Sequence, residues 1–480
     1  MKPSSVFRPV FPILPVLCAV LCAITCAGPP ESPVTKVPAE RIDAVFAEYD
    51  RSDSPGCALA VIRDGAIVYE RGYGMADLEH NIPITPETVF YIGSESKQFA
   101  AMCMLLLEEY GRLSLDDDVR KYIPELPYYG RAMTIRHLIL HTSGLRDYFT
   151  LWALSGIDYA NFNSEEETLA LITRQKGLNF LPGEDRLYSN SGYLLLSVIV
   201  KRVTGLSLRE FADERIFRPL GMTQSRFLDD PGTIIPGRAY GHMKRAGDGG
   251  WDMLPFRFAL TGSGGLYTTV RDLAKWDANF YDNRLGGGQA LIDRMLTPGA
   301  LDNGERLTYA CALTVGEYRG LGTVRHGGAL GGYRSHILRF PDERFTVIAL
   351  FNLGNVNPGD YAEKVADICI EDRLAPLSAE TAPPFEATSA KVISVPVPRP
   401  SEYAGVFASE ELMVRYRIVS GEEGLFVRIR DTATHPMMPM ERDVFNAGVA
   451  IMRFTRDSRG VVNGFRLDAG RVVGLAFEKM

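Results

Sequence analysis

Strand-forming residues stand near both ends of a long segment whose middle favours helices. Residues 58–62 and 67–69 are rich in aliphatic side chains, and Asp64-Gly65 between them favours a tight hairpin turn. Residues 336–340 and 345–351 repeat the pattern around a short polar turn. The two ends are therefore expected to meet in one antiparallel sheet covered by helices and loops. This arrangement predicts an α/β fold of the α+β type, with an antiparallel sheet flanked by helices and an all-helical region.

The amino-acid composition and the hydrophobic pattern change after residue 372. A proline-rich stretch leads into short runs of alternating apolar and polar residues, such as 414–419 and 425–429, separated by glycines. Regular short strands with glycine turns predict a small all-β barrel-like C-terminal domain. The chain has 480 residues, 46% of them apolar, which is enough for two cores. The predicted order is a signal peptide (1–27), a linker (28–38), a catalytic domain (39–372), a proline-rich linker (373–400) and the barrel (401–480).

The N-terminus has the order of a secretory signal peptide. Lys2 and Arg8 precede an apolar run, residues 10–27, that contains two prolines and ends in small residues. The prolines and the short length argue against a stable membrane span. Such a signal peptide would direct export to the periplasm or the cell exterior, and cleavage after Ala27 is expected. A lipid anchor at Cys26 is the alternative, although the residue ahead of it fits the lipoprotein pattern poorly.

The net charge, the absence of two binding motifs and the positions of the cysteines limit the partners, cofactors and disulfides that can be expected. The formal net charge of -7 gives no electrostatic footprint for nucleic acid. Neither a phosphate loop nor a dinucleotide fingerprint is found in the sequence, so no cofactor is expected. Three of the seven cysteines, Cys18, Cys22 and Cys26, fall in the predicted leader. The other four are expected to be buried free thiols, with a disulfide as the alternative that export permits: Cys57, Cys103, Cys311 and Cys369.

A serine and a lysine stand three residues apart where an apolar helix is predicted to begin. Residues 92–97 read Ile-Gly-Ser-Glu-Ser-Lys, ahead of a predicted helix over 97–110. One helical turn places the amine of Lys97 within reach of the Ser94 hydroxyl. A desolvated lysine with a depressed pKa can take the serine proton, and a helix N-terminus suits an oxyanion. Taken alone, the pattern also fits a capping serine beside a solvated lysine.

Two later motifs offer partners for such a nucleophile. Tyr188 and Asn190 precede an apolar helix predicted over 193–203, where a phenol can relay a proton and an amide can hold a substrate carbonyl. His326-Gly327-Gly328 ends a β-like run, and its glycines let a substrate backbone pair with an edge strand. The alternatives are a capped turn with a packed tyrosine, and a glycine turn with a surface histidine.

In this order the three motifs resemble those of the serine β-lactamase and penicillin-binding-protein superfamily. The resemblance is closest to class C β-lactamases, DD-peptidases and D-aminopeptidases, with esterases of the superfamily also similar. It covers about residues 40–370 and includes the sequence segments 89–94, 111–117, 135–145 and 262–266. The Tyr-x-Asn form, in place of Ser-Asp-Asn, argues against class A β-lactamases. The resemblance implies a β-lactamase/transpeptidase-like domain.

Carried over position by position, the resemblance assigns roles to the motif residues. It implies that Ser94 is the acylated nucleophile, Lys97 its base or proton relay, and Tyr188 a second general acid or base. It leaves open whether Lys97 or Tyr188 takes the first proton. It also implies that the backbone N–H groups of Ser94 and Ala329 form the oxyanion hole. Substrate binding is implied for the remaining motif residues, Asn190, His326, Gly327 and Gly328.

The third motif departs from the β-lactamase pattern. β-Lactamases commonly have Lys-Thr-Gly there, whereas His326 is weakly cationic near neutral pH and Gly327 has no hydroxyl. Carboxylate recognition by this motif should therefore be poorer, which favours a peptide or ester over a β-lactam. A His-x-Gly motif followed by a barrel particularly resembles the D-aminopeptidases.

The sequence thus predicts an exported serine hydrolase that forms an acyl-enzyme and cleaves amides or esters. A peptidase of the D-aminopeptidase or DD-peptidase type, or an esterase, is expected, acting on a small molecule or on a peptide such as one derived from peptidoglycan. The alternatives are a class C-like β-lactamase and, from another class, a non-catalytic penicillin-binding or scaffold protein. No metal is expected, because His137 and His141 lack the glutamate of an HExxH pair. The sequence does not indicate an oligomeric state.

Overall fold

The computed structural model describes residues 37–158, 163–247, 249–376, 399–422, 424–430, 433–448 and 450–480. Three predicted features lie wholly or largely outside these ranges: the signal peptide with its three cysteines, the first linker, and the proline-rich linker.

Helices and strands alternate irregularly before residue 370, whereas only strands and one short turn follow residue 399. The α-helices of the described ranges are α1 (Ala39–Phe46), α2 (Lys97–Glu109), α3 (Ile135–Leu140), α4 (Tyr148–Leu154), α5 (Glu165–Thr173), α6 (Asn190–Thr204), α7 (Leu208–Ala212), α8 (Arg218–Leu220), α9 (Val270–Ala278), α10 (Gly288–Leu296) and α11 (Pro358–Cys369). Short 3-10 turns span Gly93–Ser96, Val119–Lys121 and Pro400–Glu402, and a π-helical turn spans Asp213–Phe217. The strands are β1 (Cys57–Arg63), β2 (Ala66–Tyr73), β3 (Met75–Asp77), β4 (Ile82–Pro83), β5 (Phe90–Tyr91), β6 (Arg226–Phe227), β7 (His242–Lys244), β8 (Trp251–Met253), β9 (Leu266–Thr268), β10 (Thr314–Tyr318), β11 (Leu321–Leu330), β12 (Tyr333–Phe340), β13 (Phe345–Phe351), β14 (Gly405–Ser409), β15 (Val414–Gly421), β16 (Gly424–Ile429), β17 (Ala433–Glu441), β18 (Val444–Asn446), β19 (Ile451–Arg456), β20 (Val462–Ala469) and β21 (Val472–Lys479).

The main sheet joins the two ends of the first domain, which confirms the prediction. Its six strands run in the order β10-β11-β12-β13-β1-β2, and every neighbouring pair is antiparallel. Strand β1 pairs with β13 along its whole length, from Cys57 opposite Phe351 to Arg63 opposite Phe345. The predicted hairpin turn is also present, with φ angles of 52° at Asp64 and 79° at Gly65.

Helices bury both faces of the central strands. Phe351 of β13 lies 6.3 Å from the ring of Phe46 on α1 and 5.2 Å from that of Tyr361 on α11. Thr346 lies five positions earlier on β13, and its side chain donates a hydrogen bond to Asp277 on α9. Because side chains alternate across a strand, α1 and α11 cover one face and α9 covers the other. Both central strands accordingly consist of apolar runs without the alternation of a half-exposed sheet.

The C-terminal strands close into an eight-stranded antiparallel barrel, as the sequence predicted. Strands β14 to β21 pair in chain order, and β14 pairs with β21 to close the ring. Aromatic rings fill the interior, with Phe465 stacked on Phe477 at 4.5 Å and Tyr416 also 4.5 Å from Phe477. Closure leaves no unpaired strand edge on this small domain, and aromatic side chains supply much of its buried apolar area.

The barrel docks on the first domain through buried polar contacts. Arg146 donates to Glu411 at 2.7 Å, and both side chains are about 95% buried, with 4% and 5% exposure. The Tyr416 hydroxyl donates to the carbonyl of Leu154 at 2.7 Å. Since a buried ion pair tolerates little displacement, these contacts fix the barrel relative to the loop that contains Arg146.

Four free cysteines lie in the described ranges. Cys57, Cys103 and Cys311 are buried, as predicted, whereas Cys369 is free but only partly buried. Within the same ranges, no individual helix has the length and apolar composition needed to cross a bilayer. One pair, Asn190–Thr204 with Leu208–Leu220, meets the criteria jointly but is bent by 79°.

Candidate active site

Ser94 lies in the 3-10 turn that leads directly into α2. Gly93, just before it, has a positive φ of 55°, and a Cβ added there would lie 2.5 Å from the backbone nitrogen of Ala329. Glycine is needed for both reasons, because other residues disfavour this φ and would clash with β11. The turn therefore places Ser94 beside Ala329, the two residues whose N–H groups were predicted to form an oxyanion hole.

Buried hydrogen bonds hold this turn against the sheet. Glu95 is fully buried and accepts from the backbone N–H of Ile337 on β12 at 2.9 Å. Burial raises the pKa of Glu95 well above its usual value, so the carboxyl favours its neutral form. Ser335 donates to the carbonyl of Ile92 at 2.8 Å. The nucleophile is thus attached to the central sheet on both sides of its turn.

Lys97 begins α2 and has no solvent exposure. Its Nζ lies 2.9 Å from Ser94 Oγ, 2.9 Å from Asn190 Oδ1 and 2.5 Å from the carbonyl oxygen of Ser263. Desolvation lowers the pKa of Lys97 well below its usual value, while nearby Asp147 opposes the shift and Arg471 adds to it. Two of the predicted site residues, Ser94 and Asn190, are therefore in contact with an amine that favours its neutral form.

Asp147 orients Asn190. Its Oδ2 accepts from both the backbone N–H and the side-chain Nδ2 of Asn190, each at 2.7 Å. The same carboxylate is 1% exposed and caps α4 by accepting from the N–H groups of Phe149 and Thr150. The Asn190 amide therefore has its oxygen directed at Lys97. Asn190 was predicted to bind a substrate amide, and one of its N–H bonds remains for that task.

Tyr188 lies between the nucleophile and the barrel. The centre of its ring is 5.0 Å from Lys97 Nζ and 4.6 Å from the guanidinium carbon of Arg471. Its hydroxyl is buried and forms no hydrogen bond among the described residues. Burial raises the pKa of Tyr188, and the nearby Ser94 hydroxyl partly opposes that shift. A buried donor without a partner beside Ser94 is positioned to bind a substrate or leaving-group atom.

A directed chain of hydrogen bonds joins the second and third motifs. The N–H of Ser189 donates to His141 Nδ1 at 3.1 Å, so the His141 proton lies on Nε2, which is 3.1 Å from the Tyr309 hydroxyl. That hydroxyl is 3.2 Å from His326 Nε2, and His326 Nδ1 is 2.7 Å from the carbonyl of Gly327. Because a carbonyl only accepts, His326 is protonated on Nδ1 and Tyr309 donates to Nε2.

This environment makes His326 neutral, where the sequence had predicted a weakly cationic side chain. Burial is the largest cause that lowers its pKa to about 3. Both ring nitrogens are already engaged within the protein. His326 therefore contributes shape and orientation to the cleft near pH 7, and no positive charge.

Strand β11 presents a free edge at the third motif, as predicted. It pairs with β10 only as far as Arg325, opposite Thr314, and the motif continues the strand beyond that point. At Gly328 a Cβ would lie 1.9 Å from the carbonyl oxygen of Ile92. Glycine at this position lets β11 approach the Ser94 turn closely, and it leaves a strand edge along which an extended substrate can lie.

These parts line one cleft of about 670 Å³, which contains all the predicted site residues except Lys97, buried in its floor. The barrel contributes Gly470 and Arg471, and the sheet adds Arg334 and His336. His137 is not part of it, because its Nδ1 accepts from Thr134 at the start of α3. The histidine pair considered for a metal therefore points in separate directions.

Sequence reasoning missed four residues of the site. Asp147 and Tyr309 belong to no motif, and Arg471 lies in another domain. His141 lies in residues 135–145, which resemble the superfamily sequence, and that resemblance was the one available signal that His141 belongs to the site. Its ring packs against that of Tyr188, with ring centres 4.1 Å apart and an interplanar angle of 35°.

Comparisons with known proteins agree with this geometry. Residues 42–369 match the Beta-lactamase family. A D-aminopeptidase from Gluconobacter oxydans (strain 621H) is 33% identical over 315 residues, covering 64% of this chain and 58% of that enzyme. Penicillin-binding protein 4* from Bacillus subtilis (strain 168) is 31% identical over 318 residues, covering 62% of this chain and 68% of that protein. The octameric penicillin-binding protein homologue from Pyrococcus abyssi aligns with a TM-score of 0.62 and 26% identity, covering 92% of this chain and 100% of that one.

The match to the D-aminopeptidase thus spans less than two thirds of that enzyme. The family match itself extends over more than half of this chain and includes Ser94, Lys97, Tyr188 and His326. By sequence and by fold, the protein belongs to the β-lactamase family.

Proposed function

We propose that the protein is a serine hydrolase that cleaves amides or esters through an acyl-enzyme at Ser94. One observation carries the proposal: a fully buried Lys97 amine lies 2.9 Å from Ser94 Oγ and also contacts two oxygen acceptors. A structural lysine would be solvated or paired with a carboxylate, and the nearest carboxylate, Asp147, is engaged with Asn190. A scaffold protein would have no need of such an amine.

The acceptors around Lys97 suggest which group takes the first proton. Asn190 Oδ1 and the Ser263 carbonyl can only accept, so a neutral amine donates its two N–H bonds to them. Its lone pair then faces Ser94 Oγ and can accept the hydroxyl proton. Lys97 is accordingly the base of the acylation step in this proposal.

Acylation then follows from the geometry. Ser94 Oγ bonds to the substrate carbonyl carbon as its proton passes to Lys97, and the carbonyl electrons move onto oxygen. The N–H groups of Ser94 and Ala329 stabilise that oxyanion, each contributing about 3 kcal/mol. Collapse breaks the bond to the leaving amine or alcohol, which takes a proton delivered through Tyr188. Water repeats the attack on the acyl-enzyme, releases the acid and restores the Ser94 hydroxyl.

The third motif bears on substrate choice. A neutral His326 beside Gly327 lacks the ammonium and hydroxyl with which Lys-Thr-Gly engages the carboxylate of a β-lactam. The open edge of β11 suits an extended peptide or ester. A peptidase of the D-aminopeptidase or DD-peptidase type, or an esterase, is therefore proposed ahead of a β-lactamase, consistent with the names of its relatives.

Covalent labelling tests the proposal. The protein is treated with a fluorophosphonate and its intact mass is measured, with Ser94→Ala as the control and p-nitrophenyl esters, D-amino-acid p-nitroanilides and nitrocefin as substrates. One adduct per chain that Ser94→Ala abolishes, with ester or anilide turnover above nitrocefin turnover, is expected. An unlabelled, inactive wild type would support a scaffold protein, and nitrocefin as the best substrate would support a β-lactamase.

A further inference from the structure

The barrel inserts the tip of one hairpin into the catalytic cleft. Gly470 and Arg471 connect β20 to β21 and form part of the cleft wall. The carbonyl of Arg471 accepts from the N–H of Asp147 at 3.3 Å and from Asn179 Nδ2 at 3.0 Å, and the N–H of Val473 donates to Asn179 Oδ1 at 2.8 Å. The hairpin tip is therefore a fixed part of the cleft, held by its main chain.

The Arg471 side chain retains its hydrogen-bonding capacity. Its guanidinium carbon lies 4.6 Å from the centre of the Tyr188 ring, and the side chain is 43% exposed. Its one charged partner among the described residues is Asp147, at 3.6 Å. The nearer Asp147 oxygen already accepts two hydrogen bonds from Asn190. An arginine stacked on an aromatic ring, with its N–H bonds unused, is oriented to receive a planar anion.

The other ionisable groups among the described residues of the cleft wall add no accessible negative charge. Arg334 also lines it, whereas Asp147 is 1% exposed and engaged by Asn190. Burial lowers the pKa of His326 to about 3 and that of His336 to about 4, so neither histidine is charged near pH 7. Among the described residues that line the cleft, Asp147 is the one carboxylate, so none of them offers an accessible carboxylate to a substrate ammonium.

We propose that Arg471 of the barrel binds a free carboxylate on the substrate, so that the cleft selects carboxylate-bearing amides or esters over neutral ones. The inference rests on the proposed hydrolase function and narrows its substrate class. Arg471 takes over the recognition that a Lys-Thr-Gly motif would supply, from the opposite side of the cleft and from a different domain. A substrate with a free ammonium in the same position is disfavoured, so the inference narrows the proposed function from its three candidate types to the DD-peptidase and esterase types.

Matched esters test this assignment. One pair is 4-nitrophenyl hydrogen glutarate and its methyl ester, with the carboxylate on the acyl side; the other is 3-carboxyphenyl butyrate and its methyl ester, with the carboxylate on the leaving group. The readout is the ratio of kcat/KM for acid over methyl ester, which cancels general effects on Ser94. The wild type is expected to favour the acid in at least one pair, and Arg471→Ala to reduce that ratio about 10- to 100-fold.

Arg471→Lys should retain part of the preference, since it keeps a charge but loses the planar fork. Arg459→Ala is the matched control, because Arg459 is an 83% exposed barrel arginine paired with Asp457, and its ratio should equal that of the wild type. A wild type that prefers the methyl ester in both pairs, or an Arg471→Ala ratio within threefold of the wild type, overturns the assignment.

A measurement without substitution guards against a variant that does not fold. Glutarate should inhibit wild-type turnover of the neutral ester at lower concentration than glutaramide, and the difference should shrink as NaCl is raised. Equal inhibition by the two compounds overturns the assignment. Failure of the hydrolase proposal is distinguishable, because it leaves Ser94 unlabelled and every ester intact, whereas failure of this inference leaves labelling and turnover in place.

Discussion

Two basic side chains lie over the ring of Tyr188, and they belong to different domains. Lys97 of the catalytic domain is fully buried and has three oxygen partners within 2.9 Å. Arg471 of the barrel is 43% exposed, with its nearest charged partner 3.6 Å away. Desolvation lowers the pKa of Lys97 and suits its amine to proton transfer, whereas the partly exposed, planar guanidinium of Arg471 suits it to bind an anion. The same tyrosine ring therefore separates a group suited to proton transfer from one suited to recognising an anion.

The two regions also differ in how they are held. Lys97 begins a helix, and the turn just before it is attached to the sheet, because Glu95 accepts from the N–H of Ile337 and Ser335 donates to the carbonyl of Ile92. The Arg471 hairpin is held by its main chain, so its side chain can change without loss of the attachment. In our proposals, the reacting groups therefore lie in the core of one domain, and the residue that selects the substrate lies on a hairpin tip of the other.

The largest expected effect is loss of the buried amine. Lys97→Met retains the volume of the side chain and removes the base, so kcat/KM for a neutral p-nitrophenyl ester should fall at least about 10³-fold. Lys97→Arg should be similarly inactive, because a guanidinium does not deprotonate near neutral pH. Steady-state kinetics beside fluorophosphonate labelling measures the loss, and Lys176→Met, an exposed lysine of the same domain, is the control. A fall below tenfold would assign the base to another group.

The pH dependence of wild-type activity tests the direction of the pKa shift of Lys97. A depressed pKa means that the neutral, active amine is populated at lower pH than for a solvated lysine. Activity should therefore rise with pH through a midpoint well below 10.5 and then level off. An acid limb centred near 10.5 would contradict the burial argument.

The next largest effect is a loss of stability when the buried ion pair between the barrel and the catalytic domain is broken. Glu411→Ala leaves the 4% exposed Arg146 without its carboxylate, which should lower the free energy of unfolding by about 3 kcal/mol. The adjacent residue is a matched control, because Glu410 forms an exposed pair with Lys176, and Glu410→Ala should leave stability unchanged. Urea unfolding followed by far-UV circular dichroism compares the two variants. Equal midpoints for them would show that the interface does not depend on this ion pair.

The sequence predicted most of the fold and the motif residues of the candidate site, for identifiable reasons. The i, i+3 spacing of Ser94 and Lys97 is a local signal, and the structure places the two groups in contact. Alternation and glycine turns located the barrel and the main sheet. The helix predicted from residue 193 in fact begins at Asn190, because the Asp147 carboxylate binds that residue's N–H. A capping partner 43 residues away has no local pattern.

What could not be predicted depends on contacts distant in sequence. Arg146 and Glu411 are 265 residues apart, and the Arg471 carbonyl accepts from a residue 292 positions earlier. No periodicity encodes such pairs, and the docking of two domains is decided by their combined surfaces. The charge of His326 was mispredicted for the same reason, since its burial and the neighbouring Lys97 come from the assembled fold.

Removing the charge of Asp147 should have a smaller, diagnostic effect. Asp147→Asn weakens the hold on Asn190 and removes a negative charge that raises the pKa of Lys97. We expect kcat/KM to fall about 10- to 100-fold and the acid limb of the profile to move to lower pH. Asp282→Asn, at a 78% exposed aspartate, should change neither value. A loss of rate with an unmoved limb would assign Asp147 a purely structural role.

The smallest effect concerns the hydrogen-bond chain between the second and third motifs. Tyr309→Phe removes the hydroxyl that donates to His326 Nε2, so kcat/KM should fall by about 3- to 10-fold as the third motif loses its orientation. The chain has 7 histidines, and ¹⁵N-histidine NMR can follow their tautomers. In the wild type, His326 should remain in its Nδ1–H form without titrating between pH 5 and 9, because its pKa is lowered to about 3.

In Tyr309→Phe, the Nε2 acceptor has no donor, so the two neutral tautomers of His326 should interconvert and the Nδ1–H signal should weaken. Tyr318→Phe is the control, since its hydroxyl instead donates to Asp367 on α11. A wild-type His326 that titrates near 6.5 would show that the third motif is cationic after all. Carboxylate recognition would then be shared between the catalytic domain and Arg471, and the division of chemistry from recognition at the Tyr188 ring would not hold.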